Sequence, residues 1–118
     1  MRWVRIYTGE DGRSHFEDLP LPAGAPPGEV AEQALLPVAG AVLRRGTRSA
    51  GRWQTAPRRQ YVITLAGQIE IEVGDGSKRL LGPGDVLLAE DTAGEGHRVR
   101  VIGSETRVAL SLPIAEPR

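Results

Sequence analysis

The chain contains no cysteine. Disulfides, thiolate metal sites and a cysteine nucleophile are therefore excluded together. Neither sign of charge is in excess: Lys and Arg number 15, as do Asp and Glu, so nothing global points to nucleic acid or an anionic membrane as partner. No apolar run approaches membrane-spanning length. The N-terminal Met1-Arg2-Trp3-Val4-Arg5 lacks the apolar core of a secretory signal. A cytoplasmic protein is the resulting expectation. Aromatic residues are scarce, with two Trp, two Tyr and one Phe, so the core must be built mostly from Val, Ile and Leu.

Glycine and proline, in contrast, are plentiful, at 15 and 9 in 118 residues, and fall mainly between short apolar runs. That spacing describes an all-β chain with frequent turns. The length suits one domain with one core. Trp3 to Tyr7 alternates as an edge strand, Thr8 to Gly12 is a turn, and Ser14 to Leu19 is a second extended piece. Pro20, Pro22, Pro26 and Pro27 then forbid regular structure to about Gly28. Glu29 to Leu36 reads as two helical turns stopped by Pro37, and Val38 to Leu43 as a strand closed by Arg44-Arg45-Gly46. Gln60 to Leu65 and Gln68 to Val73 read as a hairpin about Ala66-Gly67. Asp75-Gly76 is a tight turn into Lys78 to Leu81, and Gly82-Pro83-Gly84-Asp85 another into Val86 to Ala89. His97 to Ile102 and Thr106 to Leu112 bring the total to eight or nine strands. In the penultimate strand His97, Val99 and Val101 share one face, so an interior valine face carries His97 inward. So many short antiparallel runs hide their edges most compactly by closing into a jelly roll.

No acidic residue occurs between Gln33 and Ile69, a stretch that holds Arg44, Arg45, Arg48, Arg52, Arg58 and Arg59. These arginines form either a solvated basic rim or intersubunit contact, or a clamp for an anionic ligand, to which the planar guanidinium fork is suited.

The stretch from Trp53 to Val101 resembles the cupin family, in particular its minimal single-barrel members. Gln60 precedes Gly67 by the spacing of the first cupin motif and stands where the family has Glu. The two His positions of that motif fall on Trp53 and Thr55, or on Gln54 and Ala56. The second motif opens at Gly84-Asp85-Val86 and ends at His97. The resemblance covers about residues 36 to 112. It implies a cupin jelly-roll β-barrel over residues 36–118, with 1–35 as an N-terminal arm and edge strands packed on it, and a homodimer. It also implies a metal held by three His and one carboxylate, of which this chain supplies one. Neutral amides are poor ligands for Fe, Mn, Ni or Zn, so no metal or other cofactor is expected. The alternative site would combine Glu90, Asp91 and His97, joined by His15 if the N-terminal segment folds over the barrel mouth.

The candidate chemistry follows from the residue types. His97 is either a general acid/base or a core imidazole satisfied by a backbone carbonyl. Glu90 and Asp91 either orient His97 and exchange protons with it, or cap a turn before Thr92. Gln54 and Gln60 offer neutral hydrogen bonds to a ligand, or satisfy each other. Trp53 and Tyr61 make a flat substrate wall, or serve only as packing aromatics. Arg44 is a candidate for an anionic end. Gly94-Glu95-Gly96-His97 reads as a flexible flap, and neither Ser49 nor Ser77 has a triad arrangement around it. The expected function is a metal-independent, non-redox isomerase, cyclase or lyase acting on a small organic, natural-product-like molecule. The alternatives are a non-catalytic ligand-binding cupin and a metal-dependent dioxygenase or isomerase.

Overall fold

A computed structural model describes residues 1–47 and 51–116. Arg48 of the basic stretch and Ser49 lie outside the described residues. Nine strands follow in order: β1 (Trp3–Thr8), β2 (Ser14–Asp18), β3 (Val42–Arg45), β4 (Gln60–Ala66), β5 (Gln68–Val73), β6 (Lys78–Leu81), β7 (Val86–Glu90), β8 (His97–Ile102) and β9 (Val108–Pro113). They form a six-stranded sheet, β2-β1-β7-β4-β9-β3, and a three-stranded sheet, β6-β5-β8. Among the described residues the two sheets are not joined into a closed ring of strands. The backbone bridge between Gln54 and His97 ties the small sheet to the segment before β4.

The expected hairpin between β4 and β5 does not form. β4 pairs with β7 and β9, whereas β5 pairs with β6 and β8, so the chain changes sheets at Gly67. Gly67 has φ 75°, a Cβ there would lie 2.9 Å from the Arg107 Cα, and its amide donates to Glu105 Oε1 at 2.7 Å. A short turn signal thus marks a corner between sheets, the second use to which such turns are put. The turn at Asp75-Gly76, in contrast, does join neighbouring strands: Gly76 N donates to the Val73 carbonyl and Val73 N to that of Ser77.

Trp3–Thr8 is not an edge strand. It lies between β2 and β7, parallel to β7 with Trp3 opposite Val86, so residues 3–18 are built into the large sheet rather than laid over it. No helix occurs among the described residues, and 29–36 has no regular secondary structure. An eight-residue helix is marginal without tertiary burial, and this segment is exposed. Its end is instead drawn onto the large sheet, where Leu36 N donates to Tyr61 Oη, Val38 bridges Ile114 and Ala39 N donates to the Pro113 carbonyl. The next strand begins only at Val42 and includes Arg44 and Arg45.

The core lies between the sheets. Val4, Ile6, Leu87 and Ala89 of the large sheet meet Ile69, Ile71, Val73, Leu81 and Val99 of the small one. Ile6 and Ile71 are fully buried, and each contributes about 1.5–3 kcal/mol by leaving water. Period-two alternation decides the opposite face: Leu88 and Tyr61 point outward from the core and pack with Ile114 against Trp3, Val86 and Leu112.

Candidate functional site

A cavity of about 350 Å³ lies between the sheets. Its apolar walls include Val62, Ile69, Ile71, Leu87, Val99 and Ala109. Its polar lining includes His97, Gln54, Gln60, Arg44, Arg107 and Ser111.

His97 opens β8, and alternation turns it and Val99 inward while Arg98 and Arg100 face water. Val101, of the same parity, is exposed at the far end of the strand. The backbone of His97 is fixed by paired bonds with Gln54, each amide donating to the other carbonyl at 2.8 Å. Gly96 permits this approach. Its φ is 78°, and a Cβ there would overlap the Gln54 carbonyl. Gly94 is pressed in the same way against the Gly12 carbonyl, which also accepts from Glu95 N at 2.8 Å. The glycines of the expected flap are therefore dictated by close backbone contact.

Asp91 is completely buried. One of its oxygens, Oδ2, lies 2.5 Å from His97 Nδ1 and accepts from Ser14 Oγ at 2.7 Å. Two donors converging on a single oxygen is the arrangement an acceptor-only carboxylate takes, with Nδ1 carrying the ring proton. In the neutral form of the ring, Nε2 is then the nitrogen with a lone pair. Oδ1 of Asp91 has no protein hydrogen-bond partner among the described residues. Ser14 was missed by the sequence reading, because it reaches Asp91 only through the parallel β1–β7 pairing, which leaves no local signal.

Gln60 is 6 % exposed, lines the cavity and has Oε1 without a partner. Arg44 lines it too: its cross-strand partner is Ala109, which faces the interior, so Arg44 shares that face. Of the described arginines between Gln33 and Ile69, only Arg44 lines the cavity. Arg107 was also missed, although the alternation Arg107, Ala109, Ser111 placed it on the inward face. Its Nη2 donates to Thr64 Oγ1 at 3.2 Å and its Nε is buried without an acceptor. Burial pushes its guanidinium down from the usual range, and neighbouring Arg44 adds to the shift.

Three candidates lie elsewhere. Tyr61 has the opposite parity to Gln60 and Val62 and is buried on the outer face of the large sheet, its Oη accepting from Leu36 N at 3.0 Å. Trp53 is 42 % exposed, with the Arg98 guanidinium 5.1 Å over its ring. Glu90 follows inward-facing Ala89 on β7 and so points away from the cavity. There it binds Arg5 Nε at 2.6 Å and Arg59 Nε at 2.7 Å, and Arg59 continues to Glu116. His15 lies 2.9 Å from Asp11 rather than at the cavity. The alternative metal set is thereby dispersed, and among the described residues no three His, Cys, Asp or Glu side chains gather as a metal site. The metal that a cupin resemblance implies does not fit the donors present.

The Glu90 network has a testable consequence. Burial pushes the carboxyl up, but hydrogen bonds from Arg5 and Arg59 outweigh this and hold it below the usual glutamate range. A lowered folded-state pKa gives stability that is present above the unfolded pKa and lost as pH falls through the folded one. Urea unfolding between neutrality and about pH 3 is expected to show a shallower acid loss in Glu90→Gln than in the parent, across and below the ordinary carboxylate range. The slope should not vanish, because Asp18 and Glu72, each held low by an arginine, remain in the variant.

Fold and site together define an all-β, two-sheet protein with a partly open cavity between the sheets, lined by aliphatic side chains, a buried histidine paired with a carboxylate, and two arginines. Comparison with protein-family models and with curated proteins finds no match to this chain.

Proposed function

We propose that the chain is a cupin-type jelly roll whose cavity carries out metal-independent, non-redox acid–base chemistry on a small organic molecule. The reaction class is isomerisation, cyclisation or elimination. The observation that carries this is the imidazole of His97 at the cavity wall, held through Nδ1 by a fully buried Asp91. Such a bond selects the tautomer and leaves Nε2 to take a proton from the ligand and return it elsewhere on the same molecule. Gln54 and Gln60 supply amides that orient ligand oxygen atoms, and the aliphatic walls hold the ligand's apolar body. Asp91 acts as a positioning residue for His97.

The test is proton exchange in D2O with a panel of small oxo acids and ketones, followed by NMR at the carbon next to the carbonyl. The parent is expected to exchange at least one of them. His97→Gln should slow that exchange by about 10²–10⁴-fold, with the fold verified by circular dichroism. Full exchange by His97→Gln would remove the proton-transfer role. Binding without exchange across the panel would favour a ligand-binding protein without turnover.

A further inference from the structure

Resting on that reading of the cavity, we infer that Arg44 and Arg107 form a carboxylate subsite, and that the ligand is a small hydroxylated organic acid with an apolar body. Six of the ten other described arginines are matched. Arg5, Arg13, Arg59, Arg79, Arg98 and Arg100 each lie within ion-pair distance of Asp or Glu. Arg44 and Arg107 have no such partner among the described residues, yet Arg107 lies two residues before Ala109, the cross-strand partner of Arg44, and both line the cavity. Like charges placed together beside apolar walls oppose folding unless an anion joins them.

The local structure holds Arg107 in this position. Its Cα packs against Gly67, and Glu105, the nearest acidic residue in the chain, directs its carboxylate to the Gly67 amide instead. The buried Nε of Arg107 and the buried Oε1 of Gln60 are both without partners and both belong to residues lining the cavity. Nε seeks an acceptor and is part of the fork that binds carboxylate in two-point fashion. Oε1 seeks an O–H or N–H donor, which a ligand hydroxyl supplies. The walls between these polar groups are aliphatic, matching a hydrocarbon body. A phosphate would ordinarily be met by a cradle of backbone amides at a glycine-rich turn or helix start. No helix occurs among the described residues, and side-chain guanidiniums take the place of that cradle.

Calorimetric titration with 3-hydroxybenzoate, 3-hydroxybenzyl alcohol and inorganic phosphate tests the inference. The acid is expected to bind about ten- to a hundredfold more tightly than the alcohol. Arg107→Met should abolish most of that preference while leaving the alcohol within about twofold. Arg44→Met should act in the same direction, and it serves should Arg107→Met fail to fold. Equal affinity for acid and alcohol, tighter binding of phosphate than of the acid, or unchanged preference in a folded Arg107→Met or Arg44→Met would overturn the subsite. So would absence of acid binding at millimolar concentration. His97→Gln separates the two claims: it should retain the preference for the acid even where proton exchange is lost.

Discussion

Asp91→Ala is expected to lose a large part of the stability of this protein. The substitution strands two buried donors, Ser14 Oγ and His97 Nδ1, which converge on Oδ2. Each unsatisfied buried donor costs about 1–3 kcal/mol, against a total stability of about 5–15 kcal/mol for a domain. Urea unfolding of the parent and the variant reads this directly. Asp91→Asn dissects it further. The amide keeps the volume and one acceptor oxygen, so the fold should lose less. If its NH2 faces the ring, Nδ1 must accept, the proton moves to Nε2, and the lone pair that the proposed proton transfer requires is lost. Asp91→Asn should then lower proton exchange about as severely as His97→Gln, with the change of tautomer visible in the ¹⁵N shifts of the ring. A variant with the changed tautomer and parental exchange would show that Asp91 supports the fold alone.

How far the sequence could carry this result depended on the range of the interaction concerned. Strand parity was legible: His97 and Val99 turn inward together, Arg98 and Arg100 outward. The same rule would have placed Arg107 with Ala109 and Ser111, and would have set Glu90 and Tyr61 opposite Ala89 and Gln60. Sheet membership was not legible. Ala66-Gly67 looks like a hairpin turn, and only the packing of Gly67 against Arg107 reveals the corner. Parallel pairing of β1 with β7 joins residues more than 80 positions apart, as in Arg5 Nε with Glu90 Oε1 (|i−j| = 85). It takes β1 out of the edge position and brings Ser14 to Asp91. The helix expected at Glu29 to Leu36 does not form because propensity over eight residues is weak without tertiary burial, and this segment is exposed.

Gly96→Ala tests the backbone that presents His97. Two penalties combine there. The φ of 78° is a left-handed conformation, which costs an L-residue about 1–2 kcal/mol. A Cβ would also overlap the Gln54 carbonyl, the acceptor of the His97 amide, so the paired bonds between these two residues must open. Their loss brings the expected total to about 3 kcal/mol or more. Gly76→Ala supplies the control. Its φ of 87° imposes the same conformational penalty, but a Cβ there meets nothing within 4 Å. The difference between the two variants in urea unfolding therefore isolates the close approach. Whatever fraction of Gly96→Ala remains folded should also exchange substrate protons slowly, because His97 follows the displaced residue directly, whereas Gly76→Ala should exchange at the parental rate. Equal unfolding midpoints for the two variants would mean that the Gln54–His97 bridge yields to a methyl group without loss, and that the imidazole is not held from its backbone side.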